Sequence, residues 1–427
     1  MSKSLIRSLW RGLFTAVAMV GLTDTCLPAR AADQPPSSPR PETQPQTDPA
    51  KATSLDDAAT WTIRGDSAAD YSAQFSGRAV LIMHQGRIVY ERYDNGWTAS
   101  RPHMLASGTK SFTGVMAMFA VQDGLLALDE LASDTIHEWR DDPRKSRITI
   151  RMLLDLSSGL DPAEDTIGSA GGARLRGGRL SRGEGPRVDD KFAAAIAVEA
   201  INEPGKKFVY GPSHFYAFGE LLQRKLEARR EDDPKFPATV RAYLQARIFG
   251  PLNIEVGYLG QDAKGNPNLP GGCFLTAREW VKFGEFVRLN GAVAAATASD
   301  PDAKKQLLKP ELLAQCFEPS KANPGYGLTW WLPGEAAGGG AGGTHSNDAD
   351  LPLRERLRAR ALRAEAEAHI KDASGKNIRV FMAAGLGKQR LYILPDHDLV
   401  VVRFAENSTQ GRGFDNAEFL KRVLHAR

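Results

Sequence analysis

Strand-forming runs near both ends of the chain, with helical patterns between them, constrain its fold more than any other feature. Residues 77–94 hold two β-rich runs joined by turn residues at 84–87, which predicts a hairpin. Residues 378–405 hold three more such runs, and a closing helix is predicted over 415–425. We therefore predict an α+β fold, an α/β sandwich whose antiparallel sheet combines N- and C-terminal strands and is flanked by helices.

The centre of the chain predicts an inserted helical region. Helical periodicity is present in four segments, 110–122, 192–201, 215–229 and 276–290. Residues 168–187 are rich in Gly and Arg and predict a long exposed loop. Residues 334–376 join a Gly-rich run to a strongly charged segment, which predicts a flexible insertion within the domain.

The N-terminal segment has the pattern of an export signal. Basic residues precede a short apolar run at 13–22, and residues 29–31 (Ala-Arg-Ala) fit a small-x-small cleavage site. A bilayer span needs about 20 apolar residues, so an uncleaved anchor is the weaker interpretation. We predict a signal peptide over 1–31, a disordered Pro-rich linker over 32–58 and a folded domain over 59–427, in a periplasmic or secreted protein.

Composition excludes several functional classes. The chain has 55 basic and 51 acidic residues, and removal of residues 1–31 takes four basic and one acidic residue, leaving a formal charge of +1. A near-neutral chain gives no general attraction for nucleic acid or acidic membranes. The eight histidines lack the close spacing of a metal site, so no metal and no cofactor are predicted. Cys273 and Cys316 are expected to be free, buried thiols.

The first chemical motif is Ser107-Gly108-Thr109-Lys110. At the start of a helix, residues three apart lie on one face, and a serine hydroxyl needs a nearby base to become a nucleophile. Lysine can be that base when neutral, and apolar neighbours together with the helix N-terminus favour the neutral amine. Because an S-x-x-K string arises by chance about once or twice in a chain of this length, the motif alone leaves the role open.

Five ordered blocks resemble the serine β-lactamase and penicillin-binding-protein family. They are residues 106–130, 148–161, 204–222, 271–287 and 326–332. The resemblance spans most of 75–405 and is nearest to the class C-like branch, which includes esterases, D-aminopeptidases and 6-aminohexanoate-dimer hydrolases.

This resemblance implies a role for each matching residue. Ser107 would be the acylated nucleophile, Lys110 its proton acceptor, and Tyr210 the group that passes the proton to the leaving group. The backbone amides of Ser107 and Leu386 would form the oxyanion hole, and Gly385 would let the substrate lie against a strand edge. An aromatic core position for Tyr210, and simple close packing for Gly385, are the alternatives.

The sequence departs from the family pattern at two places. Pro212 stands where an Asn or Ser usually contacts the substrate, and Ser213 is predicted to substitute for it. Ala383 stands where the family has a Lys or His that binds a substrate carboxylate, and Lys388 is a candidate replacement or a solvated turn lysine. A Ser-His-Asp site using His214 would leave the whole resemblance unexplained, and no G-x-S-x-G motif is present.

These observations predict an exported serine hydrolase that forms an acyl-enzyme on a small ester or amide. Its partner would be a small-molecule substrate, with no nucleic acid and no stable membrane insertion after signal cleavage. A non-catalytic binding or scaffold protein that keeps the fold is the alternative. The natural substrate and the oligomeric state stay open.

Overall fold

The structure is a computed structural model of the chain. It describes residues 55–168, 174–176, 179–181, 188–295, 300, 303–333, 370–371, 375–406 and 413–425. The predicted signal peptide and nearly all of the predicted insertion 334–376 lie outside these residues.

The strands of the described residues form one large sheet and several small ones. In chain order they are β1 Gly77–His84, β2 Arg87–Tyr93, β3 His103–Met104, β4 Arg174–Arg176, β5 Arg179–Ser181, β6 Tyr258–Leu259, β7 Cys273–Leu275, β8 Ala292–Ala294, β9 Lys304–Gln306, β10 Phe381–Gly385, β11 Gln389–Leu394 and β12 Leu399–Ala405. The large sheet is antiparallel, with strand order β10-β11-β12-β1-β2. The predicted hairpin and the predicted sheet from both ends of the domain are therefore confirmed.

The α-helices of the described residues come before, between and after the strands of this sheet. They are α1 Leu55–Gln74, α2 Lys110–Gln122, α3 Ile150–Leu154, α4 Glu164–Ile167, α5 Lys191–Ala197, α6 Ser213–Asp232, α7 Val240–Leu244, α8 Ala277–Arg288, α9 Pro310–Ala314 and α10 Asn416–Leu424. Side chains that accept a hydrogen bond from a backbone amide three residues later start α8 at Thr276 and α10 at Asp415. These caps explain why both helices begin close to the predicted positions.

The sheet has a different helical layer on each face. Helix α8 packs on one face, where Gly284 lies against Val400 and Leu391. Helices α1 and α10 contact each other on the opposite face, and there Arg403 of β12 reaches Ser72 of α1. Alternate residues of a strand point to opposite faces of the sheet, so β12 directs Val400 to helix α8 and Arg403 to helix α1.

Three predicted boundaries differ from the structure. Helix α1 was not predicted, and it begins at Leu55, inside the segment 32–58 predicted as linker. Helix α5 ends at Ala197 rather than at residue 201, because Val198 adopts an extended backbone. Within the loop predicted for 168–187, the described backbone includes the short antiparallel pair β4 and β5.

No helix within the described ranges is both long enough and apolar enough to cross a lipid bilayer. The same residues hold a single large core, which includes most of β12, most of α2 and both tryptophans of 330–331.

Candidate active site

Ser107 and Lys110 meet at the beginning of α2. Residues Ala106–Thr109 form a 3-10 turn that continues into α2 at Lys110. The Lys110 Nζ lies 3.0 Å from the Ser107 Oγ, as residues three apart on one helical face should. The Thr109 hydroxyl donates to the Ala106 carbonyl at 2.8 Å and accepts from the Cys273 amide at 3.2 Å, so the turn is tied to β7.

The Lys110 side chain is almost completely enclosed, with 4% of its surface exposed. Its Nζ donates to the Pro270 carbonyl oxygen at 2.7 Å and lies 4.9 Å from the ring centre of Tyr210 and 5.1 Å from that of Phe215. One amine hydrogen is therefore directed at a backbone carbonyl, which helps to aim the rest of the amine at Ser107. A backbone carbonyl has no sequence signature, although Pro270 directly precedes the block 271–287.

Tyr210 belongs to an aromatic cluster beside Lys110. Its ring stacks on that of Trp331 at 5.9 Å between ring centres, and Tyr326 meets it edge-on at 6.4 Å. Phe208 packs against Tyr326 at 5.1 Å. Tyr326 and Trp331 lie in the block 326–332, which the sequence matched to the family without assigning a role. The structure therefore brings Ser107, Lys110 and Tyr210 together and lines them with rings.

His214 takes no part in this arrangement. It is fully buried, its Nδ1 lies 2.8 Å from the Ser158 Oγ, and its Nε2 lies 2.8 Å from the Val209 carbonyl oxygen. Burial is the main effect that lowers its pKa, to about 4. A neutral ring that donates through Nε2 and accepts through Nδ1 fits both contacts. His214 thus supports the backbone next to Tyr210.

Ser213 is placed differently from the prediction. Its side chain is fully buried at the start of α6, and its hydroxyl donates to the Asp161 carbonyl oxygen at 2.6 Å. A hydroxyl used in this way does not face a substrate. The prediction that Ser213 replaces the donor missing at Pro212 does not fit this position, because sequence spacing could not tell which side of the helix start faces the site.

Gly385 lies at the end of β10, against the turn that carries Ser107. A Cβ atom at this position would overlap the carbonyl oxygen of Leu105 and lie 3.2 Å from the Gly108 amide nitrogen. Close backbone packing therefore requires glycine here, which is the alternative that the sequence left open. The contact also places the following residue, Leu386, beside the Ser107 turn.

Residues around Gly385 define an apolar edge of the site. Leu386 is 57% exposed, whereas the methyl group of Ala383, on the same strand face as Gly385, is buried. The turn after β10 bends through Gly387 and Lys388, with φ angles of 77° and 63°. The Lys388 side chain is half-buried.

Gly108, in the same turn as Ser107, is also required by packing. A Cβ atom there would approach Cζ2 of Trp280 to 2.8 Å, and Trp280 is fully buried against Phe404. Helix α8 thus presses directly on the motif that contains Ser107.

Cys273 and Cys316 are both free and buried, as predicted. Burial raises the pKa of the Cys273 thiol to about 12. Across the described ranges, no group of His, Cys, Asp and Glu side chains is arranged to hold a metal ion.

The α/β sandwich and the Ser107-Lys110 pair define a protein of the β-lactamase and transpeptidase-like fold. The chain belongs to the β-lactamase family, whose model matches residues 62–424.

The chain is similar to proteins whose names describe different activities. It is 29% identical to a lovastatin esterase from Penicillium rubens over 254 residues, which are 49% of this chain and 61% of that protein. The chain thus spans less than two thirds of this relative's length. Two solved structures share its fold, a penicillin-binding protein homologue from Pyrococcus abyssi (TM-score 0.54, 15% identity, 87% and 76% of the two chains) and a D-stereospecific amidohydrolase from Streptomyces sp. (TM-score 0.53, 14% identity, 86% and 99%).

Proposed function

We propose that this protein is an exported serine hydrolase that cleaves a small ester or amide through an acyl-enzyme at Ser107. The observation that carries the proposal is the 3.0 Å contact between the Ser107 Oγ and the enclosed Lys110 Nζ. Export rests on the pattern of residues 1–31.

In the first chemical step, the neutral amine of Lys110 takes the proton from the Ser107 hydroxyl as its oxygen attacks the carbonyl carbon. The negative charge of the tetrahedral intermediate moves to the carbonyl oxygen, which the Ser107 and Leu386 amides stabilise. When the intermediate collapses, the leaving group receives a proton by way of Tyr210 and departs. Water then attacks the acyl carbon and gives up a proton to Lys110, which returns it to the Ser107 oxygen as the carboxylic acid product leaves.

The surroundings of Ser107 favour an uncharged substrate. No cation stands at Ala383 to bind a carboxylate, and the site edge offers the exposed side chain of Leu386 and the ring of Tyr210, which stacks on the buried Trp331. Apolar groups of a substrate gain about 25 cal/mol for each Å² of surface that they bury. We therefore expect a neutral acetate ester to be hydrolysed in preference to an anionic β-lactam such as nitrocefin.

Covalent labelling tests the proposal. The full-length protein is treated with a fluorophosphonate, and peptide mass spectrometry should locate the added group on Ser107. The Ser107→Ala variant should remain unlabelled and should not hydrolyse p-nitrophenyl acetate. A parent protein that is neither labelled nor active, but binds small ligands with the same affinity as Ser107→Ala, would support a non-catalytic binding protein instead.

A further inference from the structure

Two arginines lie buried side by side in the sheet, on the face opposite Ser107. Arg390 of β11 and Arg403 of β12 are directly paired across the two strands, with 1% and 0% of their surfaces exposed. Burial lowers the pKa of Arg403, as expected for a cation removed from water. Placing two guanidinium groups together away from solvent costs free energy, which their hydrogen bonds must offset.

Several of those bonds end on the turn between β10 and β11. Arg390 Nη1 donates to the carbonyl oxygens of Gly385 and Gln389 at 3.1 and 2.9 Å, and Arg403 Nη1 donates to that of Lys388 at 2.8 Å. The backbone at Lys388 has a φ of 63°, which disfavours a non-glycine residue. The two guanidinium groups thus fix the carbonyls on both sides of a strained turn.

The bond to Gly385 acts on a particular peptide group. The carbonyl of Gly385 and the amide of Leu386 belong to one planar unit, in which C=O and N–H point in opposite directions. Holding the oxygen from one face therefore directs the Leu386 N–H away from Arg390. Because a charged donor polarises the peptide group, it also strengthens the N–H as a donor on the other side.

We propose that Arg390 is a positioning residue that orients and polarises the Leu386 amide for the oxyanion. This inference rests on the proposed function, in which that amide stabilises the tetrahedral intermediate. Arg390 acts from the far side of the sheet and touches no substrate. Its Nε bond to the Asn416 Oδ1, 3.1 Å long, anchors the guanidinium to α10.

The test compares Arg390→Lys with Tyr392→Phe. Arg390→Lys keeps a positive charge but loses the forked geometry that reaches Gly385 and Asn416 together. Tyr392→Phe is the matched control, since the Tyr392 hydroxyl donates to the same Asn416 oxygen at 2.7 Å and its side chain is equally buried. The kcat and KM for p-nitrophenyl acetate are measured, with the concentration of active sites determined by titration with a fluorophosphonate. Inhibition by phenylboronic acid, which forms a tetrahedral adduct on serine, is measured as well.

For Arg390→Lys we expect kcat to fall about tenfold or more, while KM stays nearly unchanged. The affinity for phenylboronic acid should weaken by a similar factor. Both losses should be smaller than the loss caused by deleting an oxyanion donor. Tyr392→Phe should lower the thermal midpoint without these changes. Equal losses of kcat in both variants, or parent-like kcat and inhibitor affinity in Arg390→Lys, would overturn the proposal.

If Arg390→Lys does not accumulate as folded protein, Asn416→Ala replaces it. This variant removes the Nε acceptor and leaves the guanidinium in place, so kcat and phenylboronic acid affinity should fall together, by about threefold or more; unchanged values would refute the positioning role. A parent enzyme that is neither labelled nor active would instead contradict the hydrolase function itself. The two failures are therefore distinguishable.

Discussion

The side-chain nitrogen of Lys110 lies 3.0 Å from the hydroxyl oxygen of Ser107, one helical turn earlier in the chain. The same nitrogen is held by the Pro270 carbonyl at 2.7 Å. A base fixed on two sides has little freedom to leave the hydroxyl, so the pair should behave as a single catalytic unit.

The first prediction concerns the joint action of Ser107 and Lys110. Ser107→Ala and Lys110→Ala should each lower kcat for p-nitrophenyl acetate by orders of magnitude, and the double variant should be no slower than Ser107→Ala, because residues that act as a unit have non-additive effects. Lys145→Ala is the control, since it removes another buried lysine, whose Nζ donates to Ile196. It should reduce stability but keep kcat. A double variant far slower than Ser107→Ala would mean that the two residues work separately.

The second prediction concerns Gly385. In Gly385→Ala the added methyl group collides with the Leu105 carbonyl, so overpacking should lower the free energy of unfolding by about 1–3 kcal/mol and also reduce kcat. Ala383→Gly removes a methyl group two residues earlier and should lower stability while keeping kcat. Urea unfolding and ester kinetics measure both effects. Unchanged stability with a raised KM would show that Gly385 serves the substrate rather than the packing.

The third prediction concerns the contact between Gly108 and Trp280. Gly108→Ala should cost about 1–3 kcal/mol in the free energy of unfolding, because the enclosed indole cannot move away. Adding Trp280→Phe makes room for the methyl group. The double variant should therefore lose less free energy of unfolding than the two single variants lose together. Strictly additive losses in thermal or urea unfolding would contradict the contact.

The fourth prediction concerns pH. The folded protein keeps His214 neutral down to about pH 4, whereas an unfolded chain protonates histidine near pH 6.5. The contribution of the neutral His214 to the free energy of unfolding is therefore complete above pH 6.5. As the pH falls from 6.5 to 4, about 3 kcal/mol of it is lost. In His214→Gln the free energy of unfolding should decline less between pH 6.5 and 4.

Some acid sensitivity should persist in that variant. Burial also lowers the pKa of His103 to about 4, so this residue continues to destabilise the fold in acid. Urea unfolding at pH 7.0, 5.5 and 4.5 compares the two proteins. An unchanged decline in His214→Gln would mean that His214 is not the buried neutral base described here.

Much of the fold was predictable because apolar patterns report which faces are buried. Helix α2 has the predicted bounds, and the terminal strands read as near-continuous β-branched and apolar runs, as in β12. Helix α1 was missed because its buried positions include the small residues Ala68 and Ala69 among polar neighbours, which gives a weak helical pattern.

Several site features could not be read from the sequence. Charged residues in strands are normally taken as solvent-facing, so nothing indicated that Arg390 and Arg403 would be enclosed. The Ser107-Lys110-Tyr210 grouping was predictable from motif order. The hydrogen-bond acceptor for Lys110, however, is the backbone oxygen of Pro270, and the Ser213 hydroxyl donates to a backbone carbonyl instead of facing the site. Sequence order locates residues along the chain, whereas these contacts depend on directions in space.

The position of β12 between β11 and β1 also has a consequence for how the protein is made. Strand β1 leaves the ribosome early and can pair with β2 at once, yet β12, its other sheet partner, follows only after residues 85–398. Closing so long a loop is slow, and until it closes both β1 and β11 present open hydrogen-bonding edges, which are sites of aggregation. We therefore expect nascent chains that stop short of β12 to be inactive and prone to self-association, with hydrolytic activity gained only after the last strand has been synthesised.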